Sequence, residues 1–249
     1  VLVGSGPAET HFNVHFDIIT KRSEFFRAAR SKRWTTDKSK PADLHDYDPR
    51  TFDHYLHCLY HNAVPKGSPL PESHPHPPKS AKGDSDVWKE YSKQWDVRQA
   101  GIDARYMELV RLYIVADRLA DPTTANIVVD AIRRFSHYST KNPCAQVINF
   151  AFRSTTDNNG LRLLFVDSYV YNDVALPNGD LPKEFLRLVV ESFLASKRET
   201  DITVSHEHFK FFKKVNGSQG WAYHCYYQQV DVDDSDDSDD SDDSDDSDE

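Results

Sequence analysis

The chain has 249 residues, 38% hydrophobic and 28% charged, enough for one large domain or one domain with an extension. Its formal charge of −10 averages two unlike parts: residues 231–249 hold 13 of the 40 acids and no Lys or Arg, leaving 30 bases against 27 acids in residues 1–230. No run of about 18 apolar residues exists, which excludes a transmembrane helix, and three cysteines without a CxxC clip exclude a disulfide scaffold and favour a reducing, intracellular compartment.

Val1-Leu2-Val3 is apolar and β-branched, and Gly4-Ser5-Gly6-Pro7 is turn material, so a strand and its exit open the chain, which reads as trimmed for want of an initiator Met. Residues 10–16 alternate, with Phe12, Val14 and Phe16 on one side and His11, Asn13 and His15 on the other. This predicts a half-buried strand that completes a hairpin. Asp17 is placed to cap one or two short helices carrying Ile18, Ile19, Phe25, Phe26, Ala28 and Ala29, broken near Ser23. Asp48-Pro49 opens a clearer helix, with Pro at the first helical position. Its predicted apolar side is Phe52, Tyr55, Leu56, Leu59, Tyr60 and Ala63, and its wet side is His54, His57 and His61.

Residues 65–78 contain 6 of the 13 prolines and predict an extended insertion running to about 104. Trp88, Tyr91 and Trp95 within it are spaced for one short helix docked on the body. Leu109, Leu112, Tyr113 and Ala116 then mark a helix over 104–119, punctuated by Asp121-Pro122-Thr123. A second helix carries Ile127, Val128, Ala131, Ile132 and Phe135. Further apolar segments follow Asn142-Pro143 at 147–152 and 161–171, and follow Leu181-Pro182 at 185–194. From 231 onward an Asp-Asp-Ser repeat predicts a disordered tail, because self-repelling charge without apolar residues cannot offset the entropy of ordering. The order of elements is that of an α+β protein dominated by helices.

The segment His11-Phe12-Asn13-Val14-His15-Phe16-Asp17, continuing through Arg22-Ser23-Glu24-Phe25-Phe26-Arg27-Ala28-Ala29, resembles the opening of a BTB/POZ domain. Two further stretches resemble that family in the expected order: residues 44–60, with Asp48-Pro49 and Phe52, and Leu112-Tyr113-Ile114-Val115-Ala116-Asp117-Arg118-Leu119. Residues 143–195 resemble the C-terminal extension of filamentous-fungal BTB proteins. The resemblance implies a BTB/POZ fold, a small β-sheet with a helical cluster, over 1–138. A mainly helical extension would follow over 139–230, then the acidic tail over 231–249.

It further implies a protein-interaction module that is not an enzyme and needs no cofactor. BTB domains commonly form homodimers, and a subset binds a cullin scaffold as substrate adaptors for ubiquitination. Self-association would fall to Phe12, Val14, Ile18, Ile19, Phe25 and Phe26, the same residues a core would use. Cullin docking would fall to the hydrophobic-x-acid signature Tyr106-Met107-Glu108 and the helix over 48–64. Phe16 stands where the corepressor-binding subfamily has a basic residue, so that subfamily's charged pocket is not expected.

Other chemistry is thinner. His54, His57, Cys58 and His61 share a helix at zinc-like spacings, and His206, His208, His224 and Cys225 form a looser group, but structural histidines explain both better and no metal is expected. Neither a Gly-rich phosphate loop nor a GxSxG elbow occurs. Eight bases between residues 21 and 40 (Lys21, Arg22, Arg27, Arg30, Lys32, Arg33, Lys38, Lys40) could contact phosphates, and the alternative reading is a nuclear transcription or chromatin factor using them with the acidic tail. No recognition helix accompanies them, so nucleic acid is not the expected partner, and neither is a membrane. Ser235, Ser238, Ser241, Ser244 and Ser247 each precede an acid, the context of acidophilic kinase substrates.

Overall fold

The computed structural model describes residues 1–29, 42–67, 86–171 and 175–201. The predicted acidic tail, its five serines and the His206–Cys225 grouping therefore lie outside the described residues. The protein is a mixed α+β structure, mostly helical. Its three short strands are β1 (Leu2–Val3), β2 (Thr10–His11) and β3 (Asp43–Leu44), in the order β2-β1-β3. β1 runs antiparallel to β2, with Leu2 opposite His11, and parallel to β3, with Val3 beside Leu44. Val3 and Leu44 are buried and tie this sheet to the helices.

The hairpin is present, but its second strand is shorter than the alternation predicts. Beyond His11, Phe12 still donates its N–H to the Val1 carbonyl at 2.8 Å and accepts from the Val1 amine at 2.9 Å, and it sets its ring 5.1 Å from that of Phe52, edge to face. His15 then gives its backbone N–H to the Tyr60 hydroxyl rather than to a neighbouring strand. Phe16 begins α1 (Phe16–Arg22), with His15 as N-cap, and Asp17 lies in the first turn rather than at the cap. Ser23 ends α1 in extended backbone, as its position between the two apolar groups predicts, and α2 (Glu24–Ala29) follows.

Gly4 makes the corner out of β1 with φ +85°, a left-handed conformation that side chains resist. A Cβ there would stand 2.9 Å from Pro49 Cγ and 3.0 Å from the Ala8 carbonyl oxygen. Gly4→Ala is expected to destabilise the fold by more than about 1 kcal/mol, read as a lowered melting temperature.

α3 (Pro49–His61) starts as its sequence dictates: Asp48 accepts the Thr51 N–H at 2.9 Å, and Pro49 holds the first helical position. Its buried stripe is Thr51, Phe52, Tyr55, Leu56, Cys58 and Leu59. Tyr60 and Ala63, predicted with that stripe, are exposed. The stripe is thus turned toward Cys58, which fills a core position a histidine-lined wet face would not supply.

Residues 68–85 of the insertion lie outside the described residues, and the short helix expected around Trp88 to Trp95 is not a separate one. Trp88, Tyr91 and Trp95 lie on the first turns of α4 (Asp86–Arg118), 33 residues that run without a break into the predicted 104–119 helix. Such a rod is about 50 Å long. Trp88, Tyr91 and Trp95 pack on one another along it, and Lys141 Nζ sits 4.8 Å above the Trp95 ring. Beyond Ile102 the helix is core, with Leu109, Val110, Leu112, Tyr113 and Ala116 all buried.

α5 (Pro122–Ser139) packs antiparallel to α4 through Val128, Val129 and Ile132. Over its described residues the extension holds three helices, α6 (Ala145–Ser154), α7 (Gly160–Tyr171) and α8 (Lys183–Asp201). It shares one continuous hydrophobic core with the preceding elements, α6 lying directly on α4. Phe185 of α8 is fully buried between the rings of Phe152 and Tyr169, 5.6 and 5.7 Å away. Among the described residues no helix is long and apolar enough to cross a membrane.

Candidate interaction surfaces

The six residues proposed for self-association divide. Ile19 and Phe26 are almost wholly buried, at 1% and 3% exposure, and belong to the core. Phe12 and Val14 are half-buried against it. Ile18 and Phe25 are the outward ones, 40% and 37% exposed, and Phe16, not expected in this role, joins them at 37%. The amphipathic turns of α1 and α2 separate these fates: Ile18 and Ile19 differ by one residue, about 100° around the helix.

This outward face is rigidly mounted. Ser23, fully buried between α1 and α2, donates its hydroxyl to the Leu119 carbonyl and accepts the Phe26 N–H. The backbone N–H of Glu24 donates to the Ala120 carbonyl at 3.1 Å. Arg22 closes α1 against two other helices: its guanidinium donates to Asp121 at 3.4 Å, Thr124 Oγ1 at 2.7 Å and Asn62 Oδ1 at 2.8 Å. Asp121 is itself fully buried and accepts the Tyr55 hydroxyl at 3.1 Å. Burial, then the neighbouring carboxylate, drive the Tyr55 phenol far above its ordinary pKa, so it stays a donor.

The structure separates Tyr106, Met107 and Glu108. Tyr106 is fully buried and donates its hydroxyl to the Lys141 carbonyl at 2.6 Å, its ring 5.0 Å from Phe135. Burial pushes its pKa up to about 12. No partner reaches it on this surface, because its place on the α4 wheel faces α5. Met107 is half-buried, and Glu108 is a quarter exposed within a ring of basic side chains, paired with Arg105, 3.4 Å from His54 and 3.8 Å from Arg50.

Next to this ring lies an open groove of about 460 Å³. Val64 and Pro65 form one wall, Phe135 and Tyr138 the other, with Lys66 and Arg134 among the lining residues. Arg105 closes its floor by donating to the Pro65 carbonyl at 2.7 Å. No local motif announces this groove: it joins the chain just after α3 to the end of α5, about 70 residues apart, and only the packing of α4 on both brings them together.

The histidine-rich helix separates in the same way. Cys58 is fully buried, and burial pushes its thiol up to about 12, so it remains protonated. His54 leans on Glu108, while the rings of His57 and His61 stack 4.5 Å apart. Among the described residues no group of three or more His, Cys, Asp or Glu is placed to hold a metal ion. Of the eight bases between 21 and 40, Lys21, Arg22 and Arg27 are described, and Arg22 is spent in the buried network rather than offered to phosphates. Compared with protein-family models, with curated proteins and with solved structures, the chain has no match. Its reading rests on its own residues.

Proposed function

We propose that this chain is a protein-interaction module of BTB/POZ type, without catalytic activity of its own, that self-associates through the outward face of α1 and α2. One observation carries the reading: Phe16, Ile18 and Phe25 are exposed on two short helices fixed from behind by the buried Ser23 and the part-buried Arg22. Exposed large apolar side chains on a rigid support lose little entropy when covered, the condition under which buried area turns into affinity. A module of this kind needs neither metal nor cofactor.

Light scattering of the full chain is expected to give twice the 28.6 kDa chain mass at micromolar concentration. The double variant Ile18→Asp/Phe25→Asp should shift the mass to that of one chain, weakening association by more than about tenfold, with an unchanged melting temperature. A wild-type chain that is monomeric throughout, or a variant that still doubles, sinks the reading.

The adaptor form adds a cullin scaffold. With Tyr106 in the core, docking on this side falls to Met107, Glu108 and the outer residues of α3, Arg50 and His57. Met107→Asp is then expected to abolish co-elution with a cullin amino-terminal domain while leaving self-association intact. A wild-type chain that never co-elutes removes the cullin and leaves the self-associating module.

A further inference from the structure

The groove beside Arg105 is built alike on its two sides. One wall is Val64 and Pro65 followed by Lys66; the other is Arg134 and Phe135, with Tyr138 one turn further along α5. Each wall thus sets apolar surface beside one cation. Among the described residues that line the groove, none is acidic.

The charge it offers is that of Lys66 and Arg134, both exposed. Arg105 is committed within the protein, to Glu108 and to the Pro65 carbonyl at 2.7 Å. Arg134 gives its Nε–H to the Asp130 carbonyl one turn back, at 3.3 Å, which steers its guanidinium without neutralising it. The Asp130 carboxylate lies 3.5 Å from Arg133 instead.

The walls are also preformed. Pro65 is pinned by Arg105, and Gly67 passes so close to α4 that a Cβ there would stand 2.7 Å from Arg105 Nε. Phe135 is held edge-on against the Tyr106 ring at 5.0 Å, while Tyr138 is 61% exposed and free to be covered. A volume of about 460 Å³ falls within the range of about 300–1,000 Å³ typical of ligand sites. A bare anion would use the two cations and leave the apolar walls wet. A purely apolar occupant would bury the cations without partners. The groove calls for both chemistries in one ligand.

We propose that this groove binds a short acidic segment of another protein, with one apolar side chain seated between Pro65 and Phe135 and carboxylates paired with Lys66 and Arg134. It shares no residue with the outward face of α1 and α2, nor with Met107, Glu108, Arg50 and His57.

Fluorescence anisotropy of the full chain tests this, with a panel of labelled octapeptides of Asp and Glu that carry one Phe, Leu or Trp at each successive position. At least one is expected to bind at micromolar concentration, about tenfold or more tighter than the same peptide with Ser in place of its apolar residue, and more weakly as salt is raised. Lys66→Glu/Arg134→Glu, at two exposed positions, should weaken that binding by at least about tenfold with the melting temperature unchanged. Ile18→Asp/Phe25→Asp should bind as the wild type does; loss of binding there places the site on the self-association face and overturns the proposal. Silence across the panel up to millimolar concentration overturns it too. So does an affinity indifferent to the apolar residue or to the charge reversal. Binding that emerges only when the acids of 231–249 are changed to Asn and Gln assigns the groove to the chain's own acidic stretch and overturns it equally.

Discussion

Asp121→Ala is expected to cost about 3–5 kcal/mol of folding stability, the range for breaking one side of a buried, hydrogen-bonded charge pair. The carboxylate has no exposure to water. Its two oxygens accept from the Thr124 N–H at 2.8 Å, the Thr124 hydroxyl at 2.7 Å, the Tyr55 hydroxyl at 3.1 Å and Arg22 Nε at 3.4 Å. Removing it uncaps α5, worth about 1 kcal/mol, and leaves the Tyr55 hydroxyl and the Arg22 Nε–H without their acceptor. The loss is therefore larger than a cap alone. Urea unfolding of the single variants Asp121→Ala and Arg22→Ala and of the double variant should show a coupling above about 1 kcal/mol. Additive losses would mean that the two side chains stabilise the fold independently. Since Arg22 fixes the end of α1, Asp121→Ala should also weaken self-association beyond what unfolding explains.

The second large effect falls on the extension. Arg162 of α7 is 7% exposed and donates to the carbonyls of Phe152 and Thr155, to the Thr155 hydroxyl at 3.0 Å and to Asp157 at 2.7 Å. Its guanidinium also lies 4.9 Å from the centre of the Phe152 ring. The two carbonyls belong to the end of α6, where helix oxygens lack partners of their own. Arg162→Met preserves bulk but orphans both, and is expected to cost about 3 kcal/mol. Arg162→Lys should be nearly as damaging, because a single ammonium cannot span the planar set of acceptors. The Asp157 carboxylate is largely solvent-exposed, so its ion pair contributes little. Exchange measurements should show α8 released first, since Phe185 depends on Phe152 for half of its aromatic pocket. Uniform loosening of every helix would contradict that order.

How far the sequence could be read varies by element, for physical reasons. The Asp-Pro starts at 48 and 121 were legible as helix boundaries because proline is a local signal, whereas the caps themselves, Asp48 on Thr51 and Asp121 on Thr124, were not read, and the cap expected at Asp17 falls to His15. The buried stripe of α4 was legible from Leu109, Leu112, Tyr113 and Ala116 because a single face repeats there. Tyr106 was not, since a tyrosine beside an acid fits a docking signature and a core equally until α5 is seen against it. Nor could Ile18 be told from Ile19 without the helix that replaces the predicted end of the strand. The groove beside Arg105 depends on residues far apart in the chain, and no spacing rule reaches that far. The role of Arg22, one base within a run of bases, becomes visible only where three helix ends converge on it.

The 33-residue α4 has a mechanical consequence. Gly101 sits where its solvated half meets its buried half, one residue before Ile102, and a mid-helix glycine is about 1 kcal/mol less favourable there than alanine. The poorest helix former in α4 therefore stands at the edge of the core. Trp88 lies 13 residues out, about 20 Å, so a 10° bend at Gly101 carries it more than about 3 Å. The Lys141–Trp95 contact ties this arm to the chain just after α5. The same rod bears Tyr106, Glu108 and the floor of the groove on its other arm, so one continuous helix joins the tryptophan end to the surface where Arg105 meets Pro65.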